Sequence, residues 1–254
     1  MKYPVIIAAF GTTTRARSAY KQVDAQLKQR FPYNDIYWAY TSRVVRTRLK
    51  EQNIHLPTPH DVLNQLANQG HQWAVVQSYA MLCGHEFYRL KDEVLNGPLR
   101  VSIGHSLLCE FDDFVKVIQA LAPYFEKDPD EAVILVGHGT DHCCWSVYPA
   151  FEHLLIQQYG HRAFVGAVEG DWGDCQTCIN QIQKAGFKKV RLVPFMIVAG
   201  RHFVEDLTRP EDSWQNLLEN QHIQVSVEPV GIGADPSVVD IFGDHIYSAL
   251  DVIP

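Results

Sequence analysis

The sequence predicts an α/β protein of two similar Rossmann-like lobes, each a parallel sheet flanked by helices. Three features point to it: short apolar runs rich in β-branched residues, stretches of helical period between them, and a second half that repeats the first. The apolar runs cover residues 5–9, 36–39, 73–77, 101–103, 132–136, 163–168, 190–193 and 223–227. Most are continuous rather than alternating, as strands covered on both faces require.

Helical stretches lie between them. Tyr20, Val23, Leu27 and Phe31 share one face, as do Phe114, Ile118, Leu121 and Phe125. Residues 60–68 carry Val62, Leu63, Leu66 and Ala67, and Gly70 follows as a stop signal. Trp214, Leu217 and Leu218 mark a later helix, with Asp212 or Ser213 as its N-cap. Ligands of such folds gather beyond the carboxyl ends of the strands.

An offset of 128 carries Val5-Ile6 onto Val133-Ile134 and Gly11-Thr12 onto Gly139-Thr140. The same offset pairs Ser18 with Ser146, Tyr20 with Tyr148, Leu27 with Leu155, Gln29 with Gln157 and Ala39 with Ala167, without a gap. An offset of 116 places Gly84 on Gly200 and Phe87 on Phe203. Several matches fall on polar or turn residues, which favours duplication over the general likeness of any two βα units. The expected lobes are residues 1–127 and 128–254, joined in the charged, Pro-containing stretch 126–131.

Composition excludes several classes. The 254 residues are 46% apolar and 20% charged, which is too apolar and too aromatic for a disordered chain. No apolar run reaches the ~18–20 residues of a membrane span. A net charge of −7 argues against a nucleic-acid binder. The N-terminus reads as a first buried strand rather than a signal peptide, so the expected compartment is the cytoplasm. There the six cysteines are buried thiols, ligands or redox groups rather than a disulfide framework. No Walker loop occurs, and no Gly-x-Gly-x-x-Gly follows the first strand, so no nucleotide cofactor is expected.

Function should show where the halves diverge. Phe10 becomes His138, Thr41 becomes Glu169 and Glu86 becomes His202. The second half thus carries two imidazoles and a carboxylate at the carboxyl ends of three strands, which share one rim in a parallel sheet. That set suits a divalent ion such as Co²⁺, Fe²⁺, Ni²⁺ or Zn²⁺, and the same groups relay protons near neutral pH. Taken singly, each is more often a hydrogen-bonded or solvated rim residue; their joint placement carries the reading.

Phe10-Gly11-Thr12, Thr41-Ser42-Arg43, Val136-Gly137-His138-Gly139-Thr140, Val168-Glu169-Gly170 and Val198-Ala199-Gly200-Arg201-His202 occur in this order. In these motifs the chain resembles the anaerobic sirohydrochlorin cobaltochelatases, class II chelatases related to ferrochelatase. The resemblance implies two α/β lobes enclosing a tetrapyrrole cleft, and insertion of Co²⁺ into sirohydrochlorin without ATP on the way to cobalamin. It implies that His138, Glu169 and His202 bind the metal and act in catalysis, with His138 as proton acceptor. The metal is then the substrate, and a homo-oligomer is compatible with the family. Three positions depart from its pattern: Ala80 stands for a His, Arg201 for an Asp, and Asp171-Trp172 for Tyr-Pro. They bear on macrocycle orientation and metal choice. The alternative is a carrier of tetrapyrrole or metal, or a divergent chelatase using iron, nickel or a haem-type ring.

A carboxylate-rich macrocycle needs local cations although the whole chain is acidic. Arg15 and Arg17, Arg43 and Arg46, and Arg201 follow three strand ends and can fork onto carboxylates. With Phe10, Thr12 and Glu86 they make up the expected macrocycle contacts, and Tyr79 and Trp172 are further candidates for its faces. His85 falls beside Glu86. Cys175-x-x-Cys178 opens a helix, where a thiol pKa falls. With Cys143-Cys144 and His142 it is weighed as a soft-metal or redox site against buried thiols.

Overall fold

The computed structural model describes residues 3–170, 172–200, 203–209 and 211–253, with the side chain of residue 204 left out. In chain order the elements are β1 (Val5–Ala9), α1 (Ala19–Arg30), β2 (Ile36–Tyr40), α2 (Arg43–Lys50), α3 (Pro59–Asn68), β3 (Trp73–Tyr79), α4 (His85–Leu95) and β4 (Arg100–Gly104). Then follow α5 (Phe111–Ala120), α6 (Ala122–Glu126), β5 (Ala132–Gly139), α7 (Val147–Tyr159), β6 (Ala163–Glu169), α8 (Cys175–Ala185), β7 (Lys189–Pro194), α9 (Trp214–Glu219), β8 (Gln224–Val227) and α10 (Pro236–Asp251). All eight expected strands form. They make two wholly parallel four-stranded sheets, ordered β2-β1-β3-β4 and β6-β5-β7-β8.

The chain forms two compact units. One holds the residues up to Cys109 together with those from Ala234 onward; the other runs Glu110–Gly233. This differs from a joint near residue 127 in two ways. First, α5 and α6 belong with β5. Phe125 stacks on Tyr159 at 3.8 Å, Phe114 meets Phe151, and the Tyr159 hydroxyl donates to the Ile118 carbonyl. The charged stretch 126–131 is held down as well: the Arg162 guanidinium donates to the carbonyls of Phe125, Asp128 and Pro129, and Lys189 pairs with Asp128 at 3.0 Å. Second, α10 returns to the first sheet. Phe242 packs on Tyr79, and Arg30 on α1 binds Asp240 and Asp244.

In the first unit α1 and α10 cover one sheet face, and α3 and α4 cover the other with Val62, Leu63, Leu66, Leu90 and Val94. In the second unit α8 and α9 bury Cys178, Ile179, Ile182, Trp214 and Leu218 against Ile134, Val136, Val190 and Leu192. Local signals bound the helices. Thr58 and Asp61 form a capping box around Pro59 at the start of α3, the expected stop Gly70 follows its end at a φ of +86°, and Ser213, one of the two expected caps, caps α9 by accepting the Asn216 amide. The single helix suggested by Phe114, Ile118, Leu121 and Phe125 breaks in two at Leu121, where Pro123 cannot donate to the preceding turn.

The duplication is visible atom by atom. Thr12 Oγ1 accepts the Thr14 amide, and Thr140 Oγ1 accepts the His142 amide. Thr14 Oγ1 then accepts the Ala16 amide, as His142 Nδ1 accepts that of Cys144. One correction follows from strand register. Val5 lies opposite Ile36, and Val133 lies opposite Ala163. The second strands therefore match at an offset of 127, so a one-residue gap exists before β2. Ser42, not Thr41, is the counterpart of Glu169, and Ala39 matches Gly166 rather than Ala167.

One ion network stands apart from the rim. Arg191 on β7 lies 2.7 Å from Glu131 and 2.5 Å from Glu228, and Lys127 also reaches Glu228. Both carboxylates are largely buried. Desolvation works to raise the Glu228 carboxyl, but Lys127 and Arg191 outweigh it and leave it below the usual carboxylate range. A depressed acid adds stability above its unfolded pKa and loses it as pH falls through the folded one. Arg191→Leu strands Glu131 without its cation and is expected to cost roughly 3–5 kcal/mol in urea unfolding at pH 7. The difference from the parent should shrink as pH falls below the usual carboxylate range and Glu228 protonates. A pH-independent difference would contradict this account.

Candidate functional site

The rim of the second sheet is built on backbone proximity. β5 and β6 run parallel with Gly139 directly opposite Glu169. A Cβ at Gly139 would lie 1.8 Å from the Glu169 carbonyl oxygen, and its φ of +87° is one that L side chains rarely adopt. Only glycine lets the two strand ends pass this closely. Beneath them Tyr148 on α7 lies under Gly137, whose missing Cβ makes room for the ring, and the Tyr148 hydroxyl accepts the Gly139 amide at 3.2 Å. Tyr20 takes the Gly11 amide in the same way. Trp172, half-buried, stacks on Tyr148 with planes 13° apart.

This framework brings His138 and Glu169 together, with His138 Nδ1 3.7 Å from Glu169 Oε2. Nδ1 also lies 3.3 Å from the Gly139 carbonyl oxygen. A carbonyl only accepts, so the contact favours the tautomer protonated at Nδ1 and leaves the lone pair on Nε2. Metal-ligating imidazoles are oriented in this manner. The side chains are 47% and 59% exposed, so the pair is open to a ligand rather than closed in a cage. His202 and Arg201, the third expected ligand and its neighbour, lie outside the described residues, as does Asp171. Among the described residues no three His, Cys, Asp or Glu side chains form a metal-holding group.

The other expected contacts belong to the first unit. Phe10 follows β1 and is 52% exposed, an uncommon state for a large apolar ring. Arg15 and Arg43 are exposed, and Arg17 is half-buried. Arg46 is half-buried with its Nε buried and unpartnered among the described residues. Thr12 is buried and committed to its turn. Glu86 opens α4 and pairs with Arg89 at 2.8 Å; His85 beside it is exposed. Tyr79 is core: it is 2% exposed, packed among Tyr20, Trp38 and Phe242, and offers no face to a ligand.

The cysteines do not form the reactive group weighed from sequence. Burial pushes the Cys175 thiol up to about 12, and raises Cys178 further, overriding the helix N-terminus. Cys178 sits among Trp214 and the Gly166 backbone. His142 uses its Nδ1 lone pair on the Cys144 amide, so the neutral ring carries its proton on Nε2 and has no lone pair left for a metal. Tyr148, which supports the rim, was legible only as a repeated tyrosine.

A family model described as cobalt chelatase (CbiK) matches residues 4–251. The chain is 30% identical over 260 residues to the sirohydrochlorin cobaltochelatase of Salmonella typhimurium, covering 99% of this chain and 98% of that one. It is 29% identical over 262 residues to sirohydrochlorin cobaltochelatase CbiKC of Nitratidesulfovibrio vulgaris, covering 99% and 92%. Among solved structures, SirB from Bacillus subtilis with Fe³⁺ superposes with a TM-score of 0.65 at 15% identity, over 98% of this chain and 96% of that one. The likeness to SirB establishes the two-lobed fold.

Two outcomes test this geometry. Gly139→Ala should cost roughly 2 kcal/mol or more in urea unfolding, through the positive φ and the clash with Glu169; a parent-like midpoint would contradict the close approach. In native alkylation followed by mass spectrometry, exposed Cys109 and Cys143 should react first, and Cys178 only on unfolding. Early labelling of Cys178 would contradict its burial.

Proposed function

The chain belongs to the cobalt chelatase (CbiK) family, and from that membership we propose that it inserts a divalent metal, Co²⁺ foremost, into sirohydrochlorin. The observation that carries the chemistry is the His138–Glu169 pair, an imidazole and a carboxylate held together on an open rim. His202 joins them in the proposal as the third ligand.

Metal insertion exchanges one divalent cation for two pyrrole protons. The site must therefore hold a cation loosely and accept protons. His138, with its lone pair on Nε2, does either in turn: it presents the ion, then takes a proton from an inner nitrogen. Glu169 lowers the cost of bringing a dication to the rim and, 3.7 Å from the imidazole, offers a second proton acceptor. Openness favours release, because a closed set of four ligands would retain the metal against the macrocycle. Formation of the macrocyclic chelate drives the reaction, so no nucleotide is called for. Arg15, Arg43 and Arg201 are the proposed partners of the macrocycle's carboxylates, with Phe10 against its ring.

Imidazole and carboxylate accept Co²⁺, Fe²⁺ and Ni²⁺ alike. No helix among the described residues is long and apolar enough to cross a membrane. We place the reaction in the cytoplasm.

Mixing the protein with metal-free sirohydrochlorin and Co²⁺ should produce the metallated spectrum well above the spontaneous rate, over many turnovers. His138→Ala should lower that rate at least about hundredfold, in the range of a lost general base. Glu169→Gln, which keeps shape but removes the charge, should lower it less. Stoichiometric binding without turnover would replace the enzyme reading with a carrier, and full activity in His138→Ala would overturn the role of this rim.

A further inference from the structure

The duplicated units give an internal comparison away from the rim. In the second unit α7 packs down on β6, whose α7-facing residues Ala163, Val165 and Ala167 are small and buried, at 1%, 1% and 5% exposure. Strand register makes their counterparts in the first unit Ile36, Trp38 and Tyr40, and all three are only half-buried. The chain beside them has changed too. Trp145, Pro149 and Ile156 in the second unit, of which Trp145 and Ile156 are exposed, correspond to Arg17, Lys21 and Lys28 in the first. Small apolar residues on the strand have become aromatic, and apolar surface next to it has become cationic.

The result is a groove of about 1000 Å³ within the first unit, at the upper end of the size of small-molecule sites. Trp38 and Tyr40 form its floor, with ring planes 23° apart, and Ile54 and Leu56 close its far side. Arg15, Arg17, Lys21 and Lys28 line it against a single carboxylate, Asp24. That carboxylate is already engaged, accepting the Trp38 indole N–H at 3.0 Å and pairing with Lys28 at 2.7 Å. Arg15, Arg17 and Lys21 make no ion pair among the described residues. In a chain of net charge −7, this concentration of cations selects an anion, and the aromatic floor selects a flat one.

We propose that this groove is a second binding site, distinct from the His138–Glu169 rim, for a flat conjugated macrocycle bearing several carboxylates. The ring lies over Trp38 and Tyr40, and its carboxylates meet Arg17, Lys21 and Lys28. The proposed substrate has this chemistry, so the groove deepens the chelatase reading by giving the chain a place to hold a second macrocycle. None of its residues belongs to the metal-binding pair, and Arg15, the one residue it shares with the macrocycle contacts proposed above, is not among the carboxylate partners assigned here.

Uroporphyrin, a carboxylate-rich macrocycle, tests the site by titration of the full chain with tryptophan fluorescence and calorimetry, alongside the Co²⁺ insertion assay. The parent should bind two macrocycles per chain. The double variant Lys21→Glu/Lys28→Glu should lose one of the two events, its Kd rising at least about tenfold, while the insertion rate at saturating macrocycle stays unchanged. Trp38→Val, which installs the second unit's residue, should lose the same event. Circular dichroism checks the fold of each variant. A single event in the parent, or two unaltered events in both variants, would overturn the proposal. Benzene-1,3,5-tricarboxylate is expected to compete weakly; binding as tight as that of uroporphyrin would overturn the macrocycle assignment. The titration reads the groove even if the parent shows no insertion, so failure of the chelatase reading stays separate from failure of the site.

Discussion

The close pass of the Gly139 backbone against that of Glu169 is the constraint on which the candidate site depends. Two parallel strands end side by side, and at that point no side chain fits between them. His138 precedes the crossing on one strand and Glu169 forms it on the other, so their juxtaposition is set by the sheet rather than by a loop. Tyr148 holds the Gly139 amide from below, and Trp172 holds Tyr148. A pair proposed to hold an ion loosely can then stay exposed without becoming disordered, because its backbone is fixed by interactions that need no ion.

One βα plan used twice explains how the chain separates tasks. The strand–turn–helix corner keeps its glycine, its tyrosine and its threonine-supported turn in both units. What changes is what projects from it. The second unit places an imidazole and a carboxylate at the strand ends and closes the seam beneath α7 with small residues. The first places Phe10 at the strand end and opens the seam beneath α1 with Trp38, Tyr40 and a row of cations. Shared hydrogen bonds mark the scaffold, and divergence marks the chemistry.

Much of this was legible from the sequence, for physical reasons. Strands buried on both faces write continuous apolar runs, and all eight were readable. His138 and Glu169, which the structure brings to 3.7 Å, stood out because duplication supplied a comparison at each strand end. Other features leave no such trace. The return of α10 to the first sheet is a long-range packing choice that local period does not encode, so the domain boundary fell in the wrong place. The stretch 126–131 looked like a linker because Arg162, its anchor, lies far along the chain. The single-residue gap before β2 was hidden by chance identities such as Ala39 with Ala167, and only strand register exposes it. Helix position alone would lower the Cys175 and Cys178 thiols; burial, the alternative the sequence favoured, raises them instead.

The central claim is that His138 and Glu169 act as one unit on an incoming divalent cation. A double-mutant cycle in Co²⁺ affinity, measured by calorimetry on the parent, His138→Ala, Glu169→Gln and the double variant, addresses it most directly. The account predicts that each single change weakens Co²⁺ binding and that the double variant is little worse than either, a coupling of roughly 1 kcal/mol or more. Strictly additive losses, or parent-like affinity in His138→Ala, would contradict it.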